Sequence, residues 1–540
     1  MVELIYKDIA PGAKDDISAI ETSEKNSDIS DNQLLVADLF DHKNYATVEL
    51  NQWKLDGTYS GITTDCVPYW SNQVSADEAT DGRYYFASPI TLTRVFKNKH
   101  TSVGMSFIFD NPDYCNHLNI KWYNDGETVA DVDFSPDNSE YYCQCNVELF
   151  NKVTITFYSM NKGNRFLKIF TIDDGVNRKF SDSELYSISI LEDMSLISEE
   201  LPINTLSVSL RRGEDTEFIF QKKQPMLAYR NGKLYGTFFV DSSERSSRDV
   251  YDVTAQCYKG ILDAGKFYGG LYKGVTVKSI VDEIFYGEKF KYTIDDVTAN
   301  KLLWGYIPIC SKREAMAQVL FAACAVCDTA RSNTFDIYRL ADGTTDIPAD
   351  RIYFGGKITT SDIVTSVKIQ IHKYTKATEK TDVFNGEVAS GQSIVEFSAP
   401  IDVESATISG ATLISCYTNY CVIDAENSGE VVIKAYEYTD NVTTKVMYNE
   451  NISLGTATNQ IEISDATLVS SDNSDEVLAN VYNHYMKNRV LETDVVIEGE
   501  KCGIDVTLET EWSGKQRGRL EQMEYDLRSK TIGKVVQRIG

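Results

Sequence analysis

The segment MLAYRNGKLYGTFFV, residues 226–240, carries the clearest fold signal in the sequence, because Asn231 and Gly232 stand between two apolar runs. Asn-Gly favours a β-hairpin, since both residues tolerate the positive φ angles of a tight two-residue turn. Residues 124–126 (Asn-Asp-Gly) follow the alternating run 118–122 and predict a second turn of this kind. Similar apolar runs recur along the chain, at 106–109, 147–157, 206–210, 253–257 and 367–371. The sequence therefore predicts a mainly β protein with a few helices (α+β).

The composition limits the classes of function open to this chain. Its 540 residues are enough for about three or four domains. With 80 acidic and 53 basic residues, the formal net charge is −27, which argues against a protein that grips DNA or an anionic membrane. Only five residues are histidine, so the chain offers little material for acid–base or metal chemistry.

The N-terminus, the longest apolar run and the cysteines predict a soluble protein made in the cytoplasm. The first eight residues, MVELIYKD, lack the basic and apolar regions of a signal peptide. The most apolar run, Val319–Cys327, is shorter than the roughly 18 residues that suggest a membrane helix. The 11 cysteines are an odd number spread over the whole chain, which favours free thiols over a disulfide framework.

Three segments predict helices. Val277, Ile280 and Ile284 share one helical face, and Gly287 ends that run. A third helix is predicted to begin near Asn473, with its apolar face turned inward.

The second helix starts with a capping box. The Ser311 side chain can accept from the amide of Glu314, and the Glu314 side chain can reach back to the amide of Ser311. The helix then runs to about Val326 and is apolar nearly all round, so we expect it to be buried on most sides.

Polar segments indicate an arm and loops. The first forty residues carry many charges and predict an extended, poorly packed N-terminal arm. Residues 376–385 and 439–444 are also polar, and they predict loops around a small sandwich between about 360 and 470.

No catalytic, cofactor or metal site stands out. Cys324 and Cys327 have CxxC spacing, but they lie at the C-terminal end of an apolar helix, where the dipole disfavours a thiolate. We expect both to be structural and buried. The five histidines are far apart, and acidic pairs such as Asp173 with Asp174 are common by chance in so acidic a chain. We expect a protein that is not an enzyme and holds no cofactor or metal.

Aromatic residues near the N-terminus are candidates for sugar binding or assembly. Trp53, Trp70, Tyr84 and Tyr85 lie in or beside predicted loops, where binding residues usually sit. An aromatic ring can stack on the apolar face of a pyranose. The alternative, which we favour, is that these side chains fill a sandwich core or make assembly contacts.

Several short motifs between Ile190 and Leu340 occur in a distinctive order. They are Leu201–Leu206, Asn231-Gly232, Tyr251–Val253, Gly260–Leu262, Tyr268–Gly270, Trp304–Pro308, Ser311–Ala315 and Phe321–Ala323. In this order they resemble the baseplate hub, or tail-tip, proteins of bacteriophages and phage-tail-like particles of Gram-positive bacteria. Gly518–Met523 looks like the last strand of that family. The region before Ile190, with Tyr69–Ser71 and Leu167–Ile169, resembles a jelly-roll module of the carbohydrate-binding type.

The resemblance implies an N-terminal jelly-roll sandwich followed by tail-tube-like β-barrel hub domains. The implied divisions are an N-terminal arm (1–45), the jelly roll (46–183), a hub barrel with a helical subdomain (184–360), a β-sandwich or second barrel part (361–472), and a C-terminal helix and strands that complete the hub (473–540).

The resemblance also implies a ring, usually a trimer, that caps the tail tube and carries the spike or tip. Its partners would be tube, spike and other baseplate proteins, with no membrane and no specific nucleic-acid binding. It would be assembled in the bacterial cytoplasm and located in the tail baseplate, and an acidic channel would let DNA pass. Two alternatives stay open: a glycan-binding receptor-recognition tail protein, and a tail-associated cell-wall hydrolase that uses an acidic pair.

Overall fold

The computed structural model describes residues 1–10, 12–25, 47, 49, 69–211, 220–288, 290–353, 355–453, 456–510, 513–528 and 532–539. The chain divides into two compact units, Ile5–Lys179, and Met1–Leu4 together with Phe180–Gly540. Strands dominate and helices are few, so the predicted mainly β fold is confirmed. Among the described helices, none has both the length and the apolar character needed to cross a lipid bilayer.

Seven described strands of the smaller unit form one antiparallel sheet. The elements of this unit, of which β1 and β9 cross the unit boundary, are β1 (Val2–Ile9), α1 (Ala13–Asp16), β2 (Ile17–Thr22), β3 (Tyr69–Val74), β4 (Tyr84–Phe109), β5 (Cys115–Asn124), β6 (Glu127–Phe134), β7 (Glu140–Met160), β8 (Phe166–Asp173) and β9 (Gly175–Ser181). The sheet order is β3-β8-β4-β7-β5-β6, with β2 paired to β4. Asp125 and Gly126 have positive φ and join β5 to β6, which confirms the predicted turn.

Two long strands hold the smaller unit together. β4 and β7 pair along most of their length, but the register shifts at several points between Val95 and Gly104. Such bulges bend a strand, so β4 and β7 change direction along their length and do not run straight. The core between the strands is rich in aromatic rings, including Phe107, Trp122 and Phe157, none of which is more than 1% exposed.

The first residues differ from the predicted arm. Val2–Ile9 form β1, and the side chains of Leu4 and Tyr6 are fully buried. Glu3 and Ile5 are half-buried and Lys7 is buried with Tyr6, so the segment has no regular polar–apolar alternation that would distinguish a strand from an arm in the sequence.

The larger unit is organised around a second, wider sheet. Its strands up to the first long helix are β10 (Leu185–Asp193), β11 (Thr205–Arg211), β12 (Pro225–Arg230), β13 (Lys233–Arg245), β14 (Val250–Gln256), β15 (Lys266–Phe267), β16 (Gly270–Thr276), β17 (Lys291–Ile294), β18 (Leu302–Ile307) and β19 (Cys310–Ser311). The later strands are β20 (Val326–Asp328), β21 (Thr334–Tyr338), β22 (Thr345–Ile347), β23 (Lys357–Thr360), β24 (Ser366–Val388), β25 (Gly391–Glu396), β26 (Thr407–Ser409), β27 (Thr412–Cys416), β28 (Tyr420–Ala425), β29 (Gly429–Tyr448), β30 (Gln460–Ile463), β31 (Arg489–Val496), β32 (Asp505–Thr510), β33 (Gly514–Asp526) and β34 (Ile532–Ile539).

The wide sheet joins segments that are far apart in the sequence. Its order runs β23-β31-β34-β33-β10-β11-β14-β13-β12, and β32 pairs with β33 at one side. β33 lies antiparallel to β10, with Ile190 opposite Tyr525. Asn231 and Gly232 have φ angles of 50° and 76° and join β12 to β13, as the sequence predicted.

Helices form a second layer in this unit. They are α2 (Tyr258–Asp263), α3 (Val277–Phe285), α4 (Asp296–Ala299), α5 (Lys312–Ala323) and α6 (Ser474–Tyr485). The capping box of α5 is present: Ser311 Oγ accepts from the Glu314 amide at 3.2 Å, and Glu314 Oε2 accepts from the Ser311 amide at 2.9 Å. Eight of its twelve residues are buried, which confirms the prediction that this helix lies in a core.

β24 and β29 form a long antiparallel ribbon that carries a small sandwich. Near Ser366 the ribbon packs against α6, and near Val388 it leads into the sandwich built with β25, β27 and β28. The predicted loops at 376–385 and 439–444 are wrong, because both segments belong to these strands. The middle of the ribbon is solvated on both faces, so its residues are polar on both faces and give a loop-like pattern.

Candidate functional site

Trp70, one of the four predicted aromatic contacts, is buried. It lies on β3 and is 2% exposed, with Phe166 packed edge-on at 6.1 Å. The ammonium of Lys168 lies 4.8 Å from the centre of its ring, and it also pairs with Glu49 at 2.5 Å and Asp110 at 3.0 Å. The Lys168 ammonium already covers a face of the buried indole, so this ring is not available for stacking on a sugar.

The other predicted contacts are dispersed or not described. Tyr84 and Tyr85 are half-buried neighbours on β4, so their side chains point to opposite faces of the sheet. The hydroxyl of Tyr85 donates to Asp81 Oδ2 at 2.6 Å. Trp53 lies outside the described residues. The described residues therefore do not form one aromatic platform.

The acidic pair Asp173–Asp174 is a buried ionic cluster. Both carboxylates are 1% exposed; Lys14 lies 2.6 Å from Asp173, and Arg94 lies 3.0 Å from Asp174. Burial raises the pKa of Asp174 above its ordinary value, whereas at Asp173 Lys14 and other nearby cations outweigh burial and lower the pKa. Glycoside hydrolysis needs two carboxyl groups that reach a sugar. These two side chains are instead closed off by their own counter-ions.

The cysteines and histidines within the described residues show no arrangement for catalytic chemistry. Cys327 is buried as expected, but Cys324, in the left-handed conformation at the end of α5, is only half-buried. Burial raises the pKa of Cys324 to about 11 and that of Cys327 to about 12, which disfavours the reactive thiolate. His372 Nδ1 lies 2.7 Å from Asp440, but its buried Nε2 makes no hydrogen bond to a hydroxyl or thiol in the described part of the chain. Within that part, no cluster of three or more His, Cys, Asp or Glu side chains is placed to hold a metal ion.

A buried charged cluster joins the connection between β20 and β21 to the wide sheet. Glu192 on β10 is 1% exposed and pairs with Arg331 at 2.9 Å. The Tyr525 hydroxyl on β33 donates to the same carboxylate at 2.5 Å. The guanidinium of Arg331 also lies 5.4 Å from the ring of Tyr525 and 5.6 Å from that of Tyr235. Burial raises the pKa of Glu192 above its ordinary value, against the opposing effect of Arg331.

An acidic cleft of about 420 Å³ opens between α5 and the segment around β30. Its lining residues are Glu199, Glu200, Leu201, Arg313, Glu314, Ala317, Gln318, Phe321, Glu462, Ile463, Ser464, Asp465 and Ala466. Several charges already have structural partners: Glu314 caps α5, Glu462 pairs with Lys368 at 2.9 Å, and Arg313 pairs with Asp263 at 3.0 Å. Glu199 accepts from the Tyr485 hydroxyl at 2.8 Å, and Glu200 and Asp465 add further negative charge, so the cleft is net acidic.

Tyrosines mark the place where the small sandwich meets the helical layer. Tyr420 lies between Tyr417 and Tyr268, with ring centres 4.6 Å and 4.3 Å away. The fully buried Asn419 side chain donates to the carbonyls of Tyr268 at 2.6 Å and Ile307 at 3.0 Å. The sandwich is therefore fixed to the body of the larger unit by specific contacts.

No family model and no curated protein matches the sequence. Solved structures do show similarity. A 43 kDa tail protein of prophage MuSo2 from Shewanella oneidensis is 8% identical, covering 67% of this chain and 94% of that chain with a TM-score of 0.42. A prophage tail protein from Listeria monocytogenes is 9% identical, covering 67% and 91% with a TM-score of 0.40. A component of the type VI secretion system from E. coli is 6% identical, covering 66% and 74% with a TM-score of 0.34.

The sequence did not reveal the contacts that join the sandwich to the helical layer. Tyr268 and Tyr420 are separated by more than 150 positions, and no local pattern connects them. Asn419 precedes a strand and reads as an ordinary turn residue. The available signal was the local density of tyrosines at 417–420, which is unusual for a turn that faces only water.

Proposed function

We propose that this chain is a structural, non-enzymatic baseplate hub or tail-tip protein of a phage or phage-tail-like particle. The observation that carries the proposal is the pairing of β33 with β10. This pairing brings the family-like segment Gly518–Met523 into the same sheet as the Asn231-Gly232 hairpin. Motifs that are almost 300 residues apart thus belong to one sheet, which supports the proposal.

In this proposal the domains follow the divisions given by the resemblance. The segment 46–183 is the jelly roll, 184–360 is the hub barrel with its helices, 361–472 is a separate sandwich part, and 473–540 completes the hub. The sheet order supports the last assignment, because β31, β33 and β34 extend the sheet that contains β10 and β11.

We expect the hub to be a ring of three copies of this chain that encloses a channel for DNA. A net charge of −27 suits this role, since an acidic lining repels phosphate and lets DNA slide without binding. The hub would sit in the tail baseplate between the tube and the spike or tip, after assembly in the bacterial cytoplasm.

Cryo-electron microscopy of the native particle tests the proposal. We expect three copies of the chain at the distal end of the tail tube, and tails that lack a tip when the gene is deleted. A chain found only on peripheral fibres, or present in six-fold symmetry at the tube, would contradict the hub or the trimer. Glycan arrays and cell-wall zymography on the purified chain test the receptor-binding and hydrolase alternatives, and we expect both to be negative.

A further inference from the structure

Two cysteines face each other across the hairpin of β27 and β28. Cys416 lies directly opposite Cys421 in this antiparallel pair of strands. One step closer to the turn, the Tyr417 amide donates to the Tyr420 carbonyl at 2.8 Å. Hydrogen-bonded and non-hydrogen-bonded pairs alternate along an antiparallel ladder, so the two cysteines form a non-hydrogen-bonded pair. In such a pair the Cα atoms are only about 4.5 Å apart, and the side chains approach each other most closely.

Both thiols lie on the inner face of the small sandwich. Cys421 is fully buried in its core, and the half-buried Cys416 packs against the same core. The spacing of the pair falls within the range of roughly 4.4–6.8 Å between Cα atoms that disulfides span. The thiol of Cys416 donates only a long 3.8 Å hydrogen bond to the Tyr417 carbonyl, so little holds it away from Cys421. Burial, and then the nearby Cys416, raise the pKa of Cys421 to about 12, as expected for two adjacent sulfur atoms.

The turn between the two cysteines anchors the small sandwich. It carries Asn419, whose side chain donates to the carbonyls of Tyr268 and Ile307. It also leads into Tyr420, whose ring packs on that of Tyr268. A covalent bond between the cysteines would close the loop 416–421 on itself and hold both ends of this turn in place.

We propose that Cys416 and Cys421 form a reversible disulfide that clamps this turn, with a small-molecule disulfide such as oxidised glutathione as the oxidant. The inference goes beyond the proposed function and does not depend on it. In the cytoplasm the glutathione pool keeps thiols reduced, so the pair stays open there. The bond forms where the surroundings are oxidising.

Thiol–disulfide exchange gives the order of the steps. Cys416, the more exposed of the two, loses its proton, and its sulfur attacks one sulfur of oxidised glutathione. The bond between the glutathione sulfurs breaks, and one glutathione leaves as a thiolate and takes up a proton. Cys421 then loses its proton and attacks the Cys416 sulfur of the mixed disulfide, which releases the second glutathione in the same way. Two electrons pass from the cysteines to oxidised glutathione, which becomes two reduced molecules. Burial raises the pKa of both thiols, so the exchange should be slow at neutral pH and faster as the pH rises.

Peptide mapping tests the bond. Trypsin releases residues 381–434 as one peptide, in which Cys416 and Cys421 are the only cysteines. The folded full-length chain is incubated with oxidised glutathione or with dithiothreitol, and is then denatured, alkylated and digested. After glutathione, we expect the peptide to have lost two hydrogens and to carry no alkyl group; after dithiothreitol, we expect it to carry two. Two alkyl groups in both samples, or glutathione that stays attached without a cross-link, would overturn the proposal.

Cys324 and Cys327 are the matched control. They also combine one half-buried and one buried thiol, and they are the only cysteines of the tryptic peptide 314–331. However, Cys327 belongs to the core around α3 and α5, whereas Cys324 packs against the core beside α6. We therefore expect no disulfide in this peptide after the same treatment. A disulfide in both peptides would show that the treatment joins cysteines regardless of strand register, and would overturn the assignment.

Single variants test the order of the steps. Cys421→Ala should keep glutathione attached to Cys416, because no second thiol resolves the mixed disulfide. Cys416→Ala should leave the buried Cys421 unmodified in the folded chain. Glutathione on Cys421 in that variant would contradict Cys416 as the site of first attack.

Thermal melting tests the clamp. The oxidised wild-type chain should melt at a higher temperature than the reduced chain, because the bond restricts the unfolded state. The variant with both Cys416→Ala and Cys421→Ala should melt at the same temperature after either treatment. Equal melting of oxidised and reduced wild type would show that the bond does not clamp the turn.

Discussion

The hydroxyl of Tyr525 donates a 2.5 Å hydrogen bond to the buried carboxylate of Glu192, which also pairs with Arg331 at 2.9 Å. Tyr525 belongs to the C-terminal strand β33 and Glu192 to β10, while Arg331 lies between β20 and β21. One carboxylate therefore ties together three parts of the larger unit that are distant in sequence.

Removing the Tyr525 hydroxyl and removing the Glu192 carboxylate should each destabilise the larger unit, by different amounts. Tyr525→Phe deletes one hydrogen bond to a charged group and should cost about 1–3 kcal/mol in free energy of unfolding. Glu192→Ala leaves the buried Arg331 without its counter-ion and should cost about 3–5 kcal/mol. Urea denaturation of the full-length chain measures both. Equal stability of Glu192→Ala and wild type would show that the cluster does not hold these three parts together.

The cap of α5 should contribute measurably to stability. Ser311→Ala removes the acceptor for the Glu314 amide and should cost about 0.5–2 kcal/mol, whereas Ser311→Asp keeps an acceptor and should be close to neutral. Ala323→Asp should cost more than the cap, because Ala323 is fully buried and the new carboxylate would be unpaired. Thermal melting checks the order of the three variants. An unchanged melting temperature for Ala323→Asp would contradict the buried position of the helix.

Trp70 should matter for stability and not for sugar binding. Trp70→Ala removes a buried ring and uncovers Lys168, so we expect the melting temperature to fall, with about 3–5 kcal/mol lost. Tyr85→Phe removes only the exposed hydrogen bond to Asp81 and is the control, with little expected change. A glycan affinity of the parent protein that is lost in Trp70→Ala at unchanged stability would favour the receptor-binding alternative.

His484 should make the larger unit sensitive to acid. Burial, then Arg538 and Lys487, lower its pKa from 6.5 to about 3. Between pH 6.5 and 3 the unfolded chain therefore binds a proton at this residue that the folded chain does not, so stability falls as the pH falls. We expect His484→Gln to reduce the loss of melting temperature between pH 7 and pH 4, compared with wild type. An identical pH profile for both proteins would show that His484 ionises freely in the fold.

Features encoded by neighbouring residues were predictable from the sequence, and features encoded across the chain were not. The Asn231-Gly232 turn and the Ser311–Glu314 capping box each depend on a few adjacent residues, and both are present. The pairing of β33 with β10 depends on residues more than 300 positions apart. No pattern within either strand specifies that partner, and the family resemblance indicated only that Gly518–Met523 forms a strand and that the C-terminal segment completes the hub.

The candidate site also depends on contacts between residues that are distant in the sequence, which the sequence alone did not predict. Aromatic residues such as Trp70 have the same sequence signature in a core as on a binding surface, and only the fold places Lys168 against that ring. The exposed apolar face of the small sandwich was also not predictable, because Ile394 and Ile414 lie on different strands and meet only across Val422. A bulge at Ile414, which the sequence does not mark, turns that side chain outward.

The ribbon of β24 and β29 has a mechanical consequence. Each strand begins in one core and ends in another, so two paired strands, and not a single linker, join the small sandwich to the rest of the unit. Antiparallel hydrogen bonds run perpendicular to their strands. A pull along the ribbon therefore loads the bonds within each regularly paired stretch together in shear. The register shifts between Lys376 and Lys380 and between Asp382 and Phe384, and these two irregularities are the places where the ribbon can bend.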